Sequence, residues 1–368
     1  MVASVPPIRL CLNMIVKNEA LNIERCLIAA SRVICAWVIC DTGSGDETPA
    51  MIERFFGERG IPGELHHIPF VNFEQARNEA LDRARCSALA FDYLLLLDAD
   101  MELVVEDPGF RVGLSGECYA VRQRNGLSYF NTRLLRRDVA ARYKGVTHEF
   151  LDTGGSPPRL DGIWFIDHAS GANRPGKFER DAKMLEEALA QDPENARHVF
   201  YLAQSLRDAG RLGEARATYL RRAAMGGWDE EVWYALLQVA QLAERLGESA
   251  STVENAYLSA YGARPTRAEP LIQLARWHRE RREWGLALLY ARAAAAIERP
   301  ADRLFLDEST YAWRPWDEIA IAAWYVGAHA EGRRAAERLL AEQRFPPSER
   351  ARIDANYAYY AGDRPPEG

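Results

Sequence analysis

The sequence predicts an α/β domain with a mostly parallel sheet over residues 1–174 and an all-α domain of helical repeats over residues 175–368. Three observations carry this expectation. Apolar runs of strand length alternate with segments of helical period through the first half, as in right-handed βαβ units. One run, Tyr93-Leu94-Leu95-Leu96-Leu97, is apolar throughout and ends in Asp98-Ala99-Asp100. From about residue 176 the strand signals stop, and Ala, Leu, Arg, Glu and Tyr dominate with turns at intervals.

The elements follow in order. Ile8 to Ile15 alternates and then runs apolar, as a first strand does. After Lys17-Asn18-Glu19 comes a helical period through Ala20, Leu21, Ile23, Cys26, Leu27 and Ala30. Ala36 to Cys40 is a second strand ending at Asp41, and Thr42-Gly43-Ser44-Gly45-Asp46 is a turn-rich loop. Thr48 starts a helix carrying Met51, Ile52, Phe55 and Phe56, and Glu64 to Ile68 is a third strand. Phe73 to Arg85 places Ala76, Ala80, Leu81 and Ala84 on one helix face, ahead of the Tyr93–Leu97 strand. Residues 119–147 suit antiparallel strands, and Asp161 to His168 reads as a late strand. Pro175 then falls in the first turn of a helix opened by Asn173-Arg174.

In the second half, Val199, Leu202, Ala203, Leu206, Gly210, Ala215 and Tyr219 follow the small-and-large pattern of a tetratricopeptide repeat. Val239-Ala240 with Gly247, and Leu274-Ala275 with Ala287, repeat it, and Arg282 stands where Gly210 and Gly247 stand. The spacings of 37 and 35 residues approach the roughly 34 of that repeat. A degenerate fourth copy spans about Ile319–Leu340 after the aromatic insert Tyr311–Trp316, and Ala351–Ala361 suits a capping helix.

Composition bounds the function. The chain is 48% hydrophobic and 27% charged, with a net charge of −7, enough apolar material for two cores. A dedicated binder of nucleic acid or of membrane surfaces would be basic. No apolar run reaches the about 18 residues of a membrane span. The opening Met1-Val2-Ala3-Ser4 has no basic and apolar leader, so the expected compartment is the cytoplasm. All six cysteines precede residue 119 without a Cys-x-x-Cys pair and read as small hydrophobes.

The chemistry gathers at one sheet edge. In a parallel sheet the strand ends deliver Asn18 and Glu19, Asp41, and Asp98 with Asp100 to the same edge, where ligands of α/β folds bind. Paired hard oxygens suit Mg²⁺ or Mn²⁺ together with substrate phosphates; a solvated turn after a core strand is the plainer alternative. No G-x-G-x-x-G or G-x-x-x-x-G-K-[ST] cradle is present. Residues 119–147 carry Arg122, Arg124, Arg133, Arg136, Arg137, Arg142 and Lys144 against the single acid Asp138, either a wall attracting a diphosphate or the outward face of strands. Arg174, Lys177 and Arg180 crowd a helix start, where cations are disfavoured unless an anion is held there.

Met14-Ile-Val-Lys-Asn-Glu19, Asp41-Thr-Gly-Ser-Gly-Asp-Glu-Thr48, Phe73-Glu-Gln-Ala-Arg-Asn78 and Asp98-Ala-Asp100 together resemble the ordered motifs of glycosyltransferase family 2, which has the GT-A fold. The likeness spans about residues 8–170; the whole chain resembles such a domain fused to tetratricopeptide repeats. The resemblance implies a nucleotide-sugar donor, expected to be a UDP-sugar, and a hexosyl or N-acetylhexosaminyl group transferred with inversion. It implies Asp41 at the base or ribose, Asp98 and Asp100 near ribose, metal and diphosphate, and Arg77 near the donor. It makes His168 a further metal ligand beside Asp98 and Asp100. An inverting enzyme needs a carboxylate to deprotonate the acceptor. This chain reads His148-Glu149 where several family members read Glu-Asp, so Glu149 is the expected base, with His148 a donor to phosphate or a second candidate. For Asp41 a strand-end turn cap, for Arg77 a solvated helix face and for His148 a half-buried neutral imidazole are the structural alternatives. Stacked repeats form a concave surface suited to an acceptor peptide or protein and offer a surface for homodimerisation. A saccharide or lipid-linked acceptor, or a non-catalytic repeat scaffold, are the rival readings.

Overall fold

A computed structural model describes residues 8–125, 128–170, 176–302 and 304–362. Contacts divide the chain into two units between Gln191 and Asp192. The boundary expected at 174/175 thus moves to 191/192, because the helix after residue 176 belongs with the first unit: its Arg180 lies over the Phe73 ring. The expected helix start at Asn173–Pro175 lies outside the described residues.

The first unit opens with β1 (Leu10–Val16), α1 (Ile23–Ser31), β2 (Ile34–Asp41), α2 (Thr48–Arg59), β3 (Gly63–His67), α3 (Phe73–Cys86) and β4 (Tyr93–Leu96). Strands β5 (Met101–Val105), β6 (Cys118–Arg124), β7 (Ser128–Arg136), β8 (Arg142–Lys144), β9 (Phe150–Asp152) and β10 (Arg159–Asp167) follow, then α4 (Lys177–Gln191). The main sheet runs β3-β2-β1-β4-β7-β6-β10-β5, and β8 and β9 form a separate hairpin. Its first four strands are parallel; β7 then pairs antiparallel with β4 and β6.

The alternation of β1 decides the layers. Leu10, Leu12, Met14 and Val16 share a core with Ile23 and Leu27 of α1 and Phe56 of α2. Cys11 turns the other way, beside Leu81 and Ala84 of α3 and Leu94 and Leu96 of β4. Helices therefore cover both faces, and all four β4 residues are buried, as an unbroken apolar strand requires. Asn13, polar and 4% exposed, is satisfied by donating to the carbonyls of Val38 and Ala80, both at 3.0 Å. β5 begins just past the Asp98–Asp100 turn yet lies at the far edge of the sheet beside β10, so the sheet curls. All six cysteines are free thiols.

The second unit consists of α5 (Ala196–Asp208), α6 (Leu212–Ala224), α7 (Asp229–Arg245), α8 (Ala250–Ala263), α9 (Glu269–Glu280), α10 (Trp284–Ala295), α11 (Glu308–Ala312), α12 (Arg314–Tyr325), α13 (His329–Glu342) and α14 (Arg350–Ala361). Helices pair as α5/α6, α7/α8, α9/α10 and α12/α13, each packing on its chain neighbours. The expected core positions Val199, Leu202, Ala203, Leu206, Ala215 and Tyr219 are all buried. Gly210, Gly247, Arg282 and Gly327 occupy equivalent turns, and all four have left-handed backbone, with φ of 83°, 69°, 62° and 77°. Tyr311, from the aromatic insert, donates to Glu269 Oε2 at 2.7 Å and accepts from the Ala268 N–H.

Candidate active site

The parallel strands bring β1, β2 and β4 to a common C-terminal edge, with Val16 opposite Asp41 and the Leu97 N–H bonded to the Asn13 carbonyl. There the β1–α1 and β2–α2 loops are knitted together. The Asn18 N–H donates to Ser44 Oγ at 2.9 Å, Asn18 Oδ1 accepts from the Gly45 N–H at 2.7 Å, and the Glu19 N–H donates to Thr48 Oγ1 at 2.8 Å. Asn18 holds φ of 56°, a left-handed conformation its short amide tolerates. Glu19 is buried, with Oε2 accepting from the Asn22 amide at 2.8 Å. Asp41 is only 2% exposed. Its Oδ2 accepts from the N–H groups of Gly43 and Ser44, each at 3.1 Å, with His67 Nδ1 at 3.3 Å. Asn18 and Asp41 therefore shape the loop edge, while Lys17, Glu19 and Thr42 line the cleft itself.

Asp98 sits at the tip of β4 between two arginines. Arg77 Nη2 donates to Oδ1 at 2.6 Å, and Arg133 Nη2 to Oδ2 at 3.1 Å. Burial alone would raise this carboxyl, but the two guanidiniums outweigh it and hold Asp98 well below the usual carboxylate range. Of the seven basic residues in 119–147, Arg133 alone is bonded to Asp98 or Glu149. Arg136 pairs with Asp138, Arg142 with Asp82 and Lys144 with Asp152. Arg137 bonds the carbonyls of Arg85, Ser87 and Leu89, and Arg122 and Arg124 lie over Trp164. The expected basic wall thus reduces to one side chain. Only the register of β7 against β4, Leu134 opposite Leu95, singles it out.

Glu149 reaches the same place by way of α3. The Asn78 side chain bonds both the N–H and the carbonyl of Tyr143, at 2.8 and 2.9 Å. The Phe73 N–H donates to the Val146 carbonyl, and the Gly145 N–H to Glu74 Oε2 at 2.6 Å. Gly145 has φ of 108°, and a Cβ there would crowd the Thr147 carbonyl and Glu149 Cα, so the turn requires glycine. These ties set the loop after β8 over α3 and place Glu149 Oε1 2.5 Å from Arg77 Nε. Arg77 bridges Asp98 and Glu149, which excludes a solvated helix face for it. His148 is exposed, with φ of 50°, beside Glu149.

The cleft has two lobes. One is lined by Ile15, Lys17, Glu19, Thr42, Phe70, Asp100 and Arg180. The other is lined by Tyr129, Phe130, Arg133, Tyr143, His148, Glu149 and Phe150. Phe73, Arg77, Asp98 and Lys177 border both, so the start of α4 contributes to each. Lys177 and Arg180 give the first lobe cations near Asp100, and Phe70 and Phe73 meet edge to face at 5.2 Å, an aromatic wall. Sequence reading gave Lys17 and Phe73 no role although both lie inside the quoted motifs, and it did not name Phe70, three residues before the second of them.

His168 lies beside Asp100 in the backbone, its N–H donating to the Asp100 carbonyl at 3.2 Å, but its imidazole Nε2 is 3.0 Å from Glu102 Oε2. Among the described residues no group of three His, Cys, Asp or Glu side chains is arranged as a metal cage. Both Asp98 oxygens face guanidiniums, which leaves Asp100 as the expected ligand on the cleft wall. That fits Mg²⁺ or Mn²⁺ held by one carboxylate and substrate phosphates, and does not fit an all-protein site. No described helix is long and apolar enough to cross a membrane.

Residues 11–107 match the family model "Glycosyl transferase family 2". A TPR repeat-containing protein of Synechococcus elongatus is 28% identical over 320 residues, covering 80% of this chain and 76% of its own. Among solved structures, MamA protein is 15% identical with a TM-score of 0.37, covering 48% of this chain and 87% of its own. A tetratricopeptide repeat protein from Parabacteroides merdae is 18% identical with a TM-score of 0.38, covering 51% and 69%. The first unit thus carries a glycosyl transferase family 2 domain, and the second is a helical repeat region resembling tetratricopeptide repeats.

Proposed function

We propose that the first unit is a metal-dependent, inverting glycosyltransferase. It moves a hexosyl or N-acetylhexosaminyl group from a nucleotide sugar, a UDP-sugar, to a peptide or protein acceptor held by the repeats. One observation supports this most: Asp98 and Glu149, distant in sequence, share Arg77 at the junction of two lobes, one of them edged by Asp100.

The nucleotide sugar occupies the lobe of Lys17, Asp100, Lys177 and Arg180, whose cations face its diphosphate. The acceptor enters the aromatic lobe. Glu149 takes the proton from the acceptor nucleophile as that atom bonds the anomeric carbon. The bond from this carbon to the phosphate oxygen breaks with its electron pair, which leaves on the nucleoside diphosphate. Lys177 and Arg180 stabilise the charge that develops there. Mg²⁺ or Mn²⁺, held by Asp100 and the diphosphate, would supply Lewis-acid stabilisation of the same leaving group.

The test is nucleotide-sugar turnover with Mn²⁺, with and without acceptor, in the wild type and in Glu149→Gln. General-base help is worth about 10²–10⁴-fold, so the variant should bind donor and transfer slowly. An unchanged transfer rate would move the base elsewhere. For the acceptor, a mixed-charge groove among α9, α12 and α14 brings Arg276, Arg279, Arg314 and Arg352 beside Asp317, Glu318 and Glu349. Arg314→Glu should weaken transfer to a peptide acceptor and leave donor hydrolysis near wild type. An acceptor screen including saccharides and lipid-linked sugars separates the competing substrates. A non-catalytic scaffold is favoured by one observation, that guanidiniums already satisfy both Asp98 oxygens; absence of turnover with every donor and metal would establish it.

A further inference from the structure

Among the described residues, Arg77 is the one side chain bonded to both Asp98 and Glu149. It contacts them through different nitrogens of a single planar group, Nη2 to Asp98 Oδ1 at 2.6 Å and Nε to Glu149 Oε1 at 2.5 Å. The guanidinium is well enclosed, with 15% of its side chain exposed, and lies 5.4 Å from the centre of the buried Tyr143 ring. Asp98 is fixed from its far side by Arg133, which also bonds the Leu96 carbonyl at the end of β4. A rigid chain therefore runs from the strand tip through Asp98 and Arg77 to one oxygen of Glu149. Glu149 lines the aromatic lobe, and its other oxygen, Oε2, is the one the transferase reading assigns to the acceptor proton.

We infer that Arg77 is a positioning residue for the proton acceptor, orienting Glu149 through Nε while Asp98 anchors the guanidinium through Nη2. This rests on the transferase reading above and goes beyond donor binding, the role the family resemblance implies for Arg77. A base must be held in one orientation by a third group to act efficiently, and a planar fork meets two carboxylates at fixed angles where an ammonium cannot. Lysine at this position would keep the positive charge beside the donor lobe but lose the simultaneous grip on both acids.

The experiment compares wild type, Arg77→Lys and Arg77→Ala, each first checked by a thermal melt. Nucleoside diphosphate binding is measured by calorimetry and sugar transfer by product mass at saturating donor. Misplacing a reacting group by about 1 Å can cost 10²-fold. Arg77→Lys is therefore expected to lose about 10²-fold in transfer kcat while nucleoside diphosphate affinity changes little. Added guanidinium ion should restore part of the kcat of Arg77→Ala. Transfer at the wild-type rate in Arg77→Lys overturns the inference, as does a parallel fall in binding and kcat, which would make Arg77 a donor ligand only. If Arg77→Ala fails to fold, the lysine variant decides alone. A wild type that transfers no sugar from any donor overturns the transferase reading and the orienting role together. A transferring wild type matched by Arg77→Lys overturns only the role of Arg77.

Discussion

Arg133 Nη2, on β7, lies 3.1 Å from Asp98 Oδ2, just past the end of the antiparallel neighbour β4, although the two residues stand 35 apart in the chain. The same guanidinium donates to the Leu96 carbonyl and to Gln123 Oε1, each at 3.3 Å. Arg133 thus ties the β4 tip to the antiparallel half of the sheet and supplies half of the charge that balances Asp98. Arg133→Ala removes a charged hydrogen bond while Arg77 still compensates Asp98. The expected loss of unfolding free energy is about 2–3 kcal/mol, read by urea denaturation. A change under about 0.5 kcal/mol would mean the pair contributes nothing to stability.

Asp100 presents the expected carboxylate for a metal in the lobe shared with Lys17 and Arg180. Asp100→Ala should fold with a wild-type melt and lose metal-stimulated donor hydrolysis by about 10²-fold or more, since a Lewis acid supplies several kcal/mol. Hydrolysis that keeps its full response to Mn²⁺ would remove Asp100 from the site.

Arg282 carries φ of 62° at a turn where its three counterparts are glycine. A left-handed conformation costs a residue with a Cβ roughly 1–2 kcal/mol, partly offset because glycine loses more freedom on folding. Arg282 is exposed. Arg282→Gly is expected to raise stability by about 0.5–1 kcal/mol in chemical denaturation. A destabilised variant would show that the arginine makes a contact worth more than its backbone strain.

Asp302 gives the repeats a pH dependence of definite sign. Arg264 bonds it through Nε and Nη2 at 2.6 and 2.7 Å, and Arg267 lies 3.3 Å away. These hydrogen bonds and charges hold its carboxyl below the ordinary value of 3.8. The stabilisation is therefore fully present above that unfolded-state value and is lost as pH falls through the lower folded value. Asp302→Asn should melt below wild type at neutral pH, with the gap closing below about pH 4. A gap that persists unchanged at pH 2–3 would assign the effect to shape, not charge.

Periodicity made much of this protein legible in advance. Alternation along β1, the helix face of Ala76, Ala80, Leu81 and Ala84, and the unbroken β4 run are local patterns that burial imposes residue by residue. The same holds for the repeats: the spacing that matched Gly210, Gly247 and Arg282 as counterparts falls on equivalent turns, and the structure adds that all three have left-handed backbone. The parallel order of the strands also commits Glu19, Asp41, Asp98 and Asp100 to one edge on sequence alone. Tertiary structure alone decided the rest. The register of β7 chose Arg133 from seven basic residues, because long-range pairing leaves no local signature. Four bonds between α3 and the 143–146 segment brought Glu149 to Arg77 across 72 positions of sequence. Asp41 turned its carboxylate onto its own loop, since two nearby backbone N–H groups satisfy a buried acid at once. Side-chain direction at a strand end is set by such competing partners, and those are known only when the chain has folded.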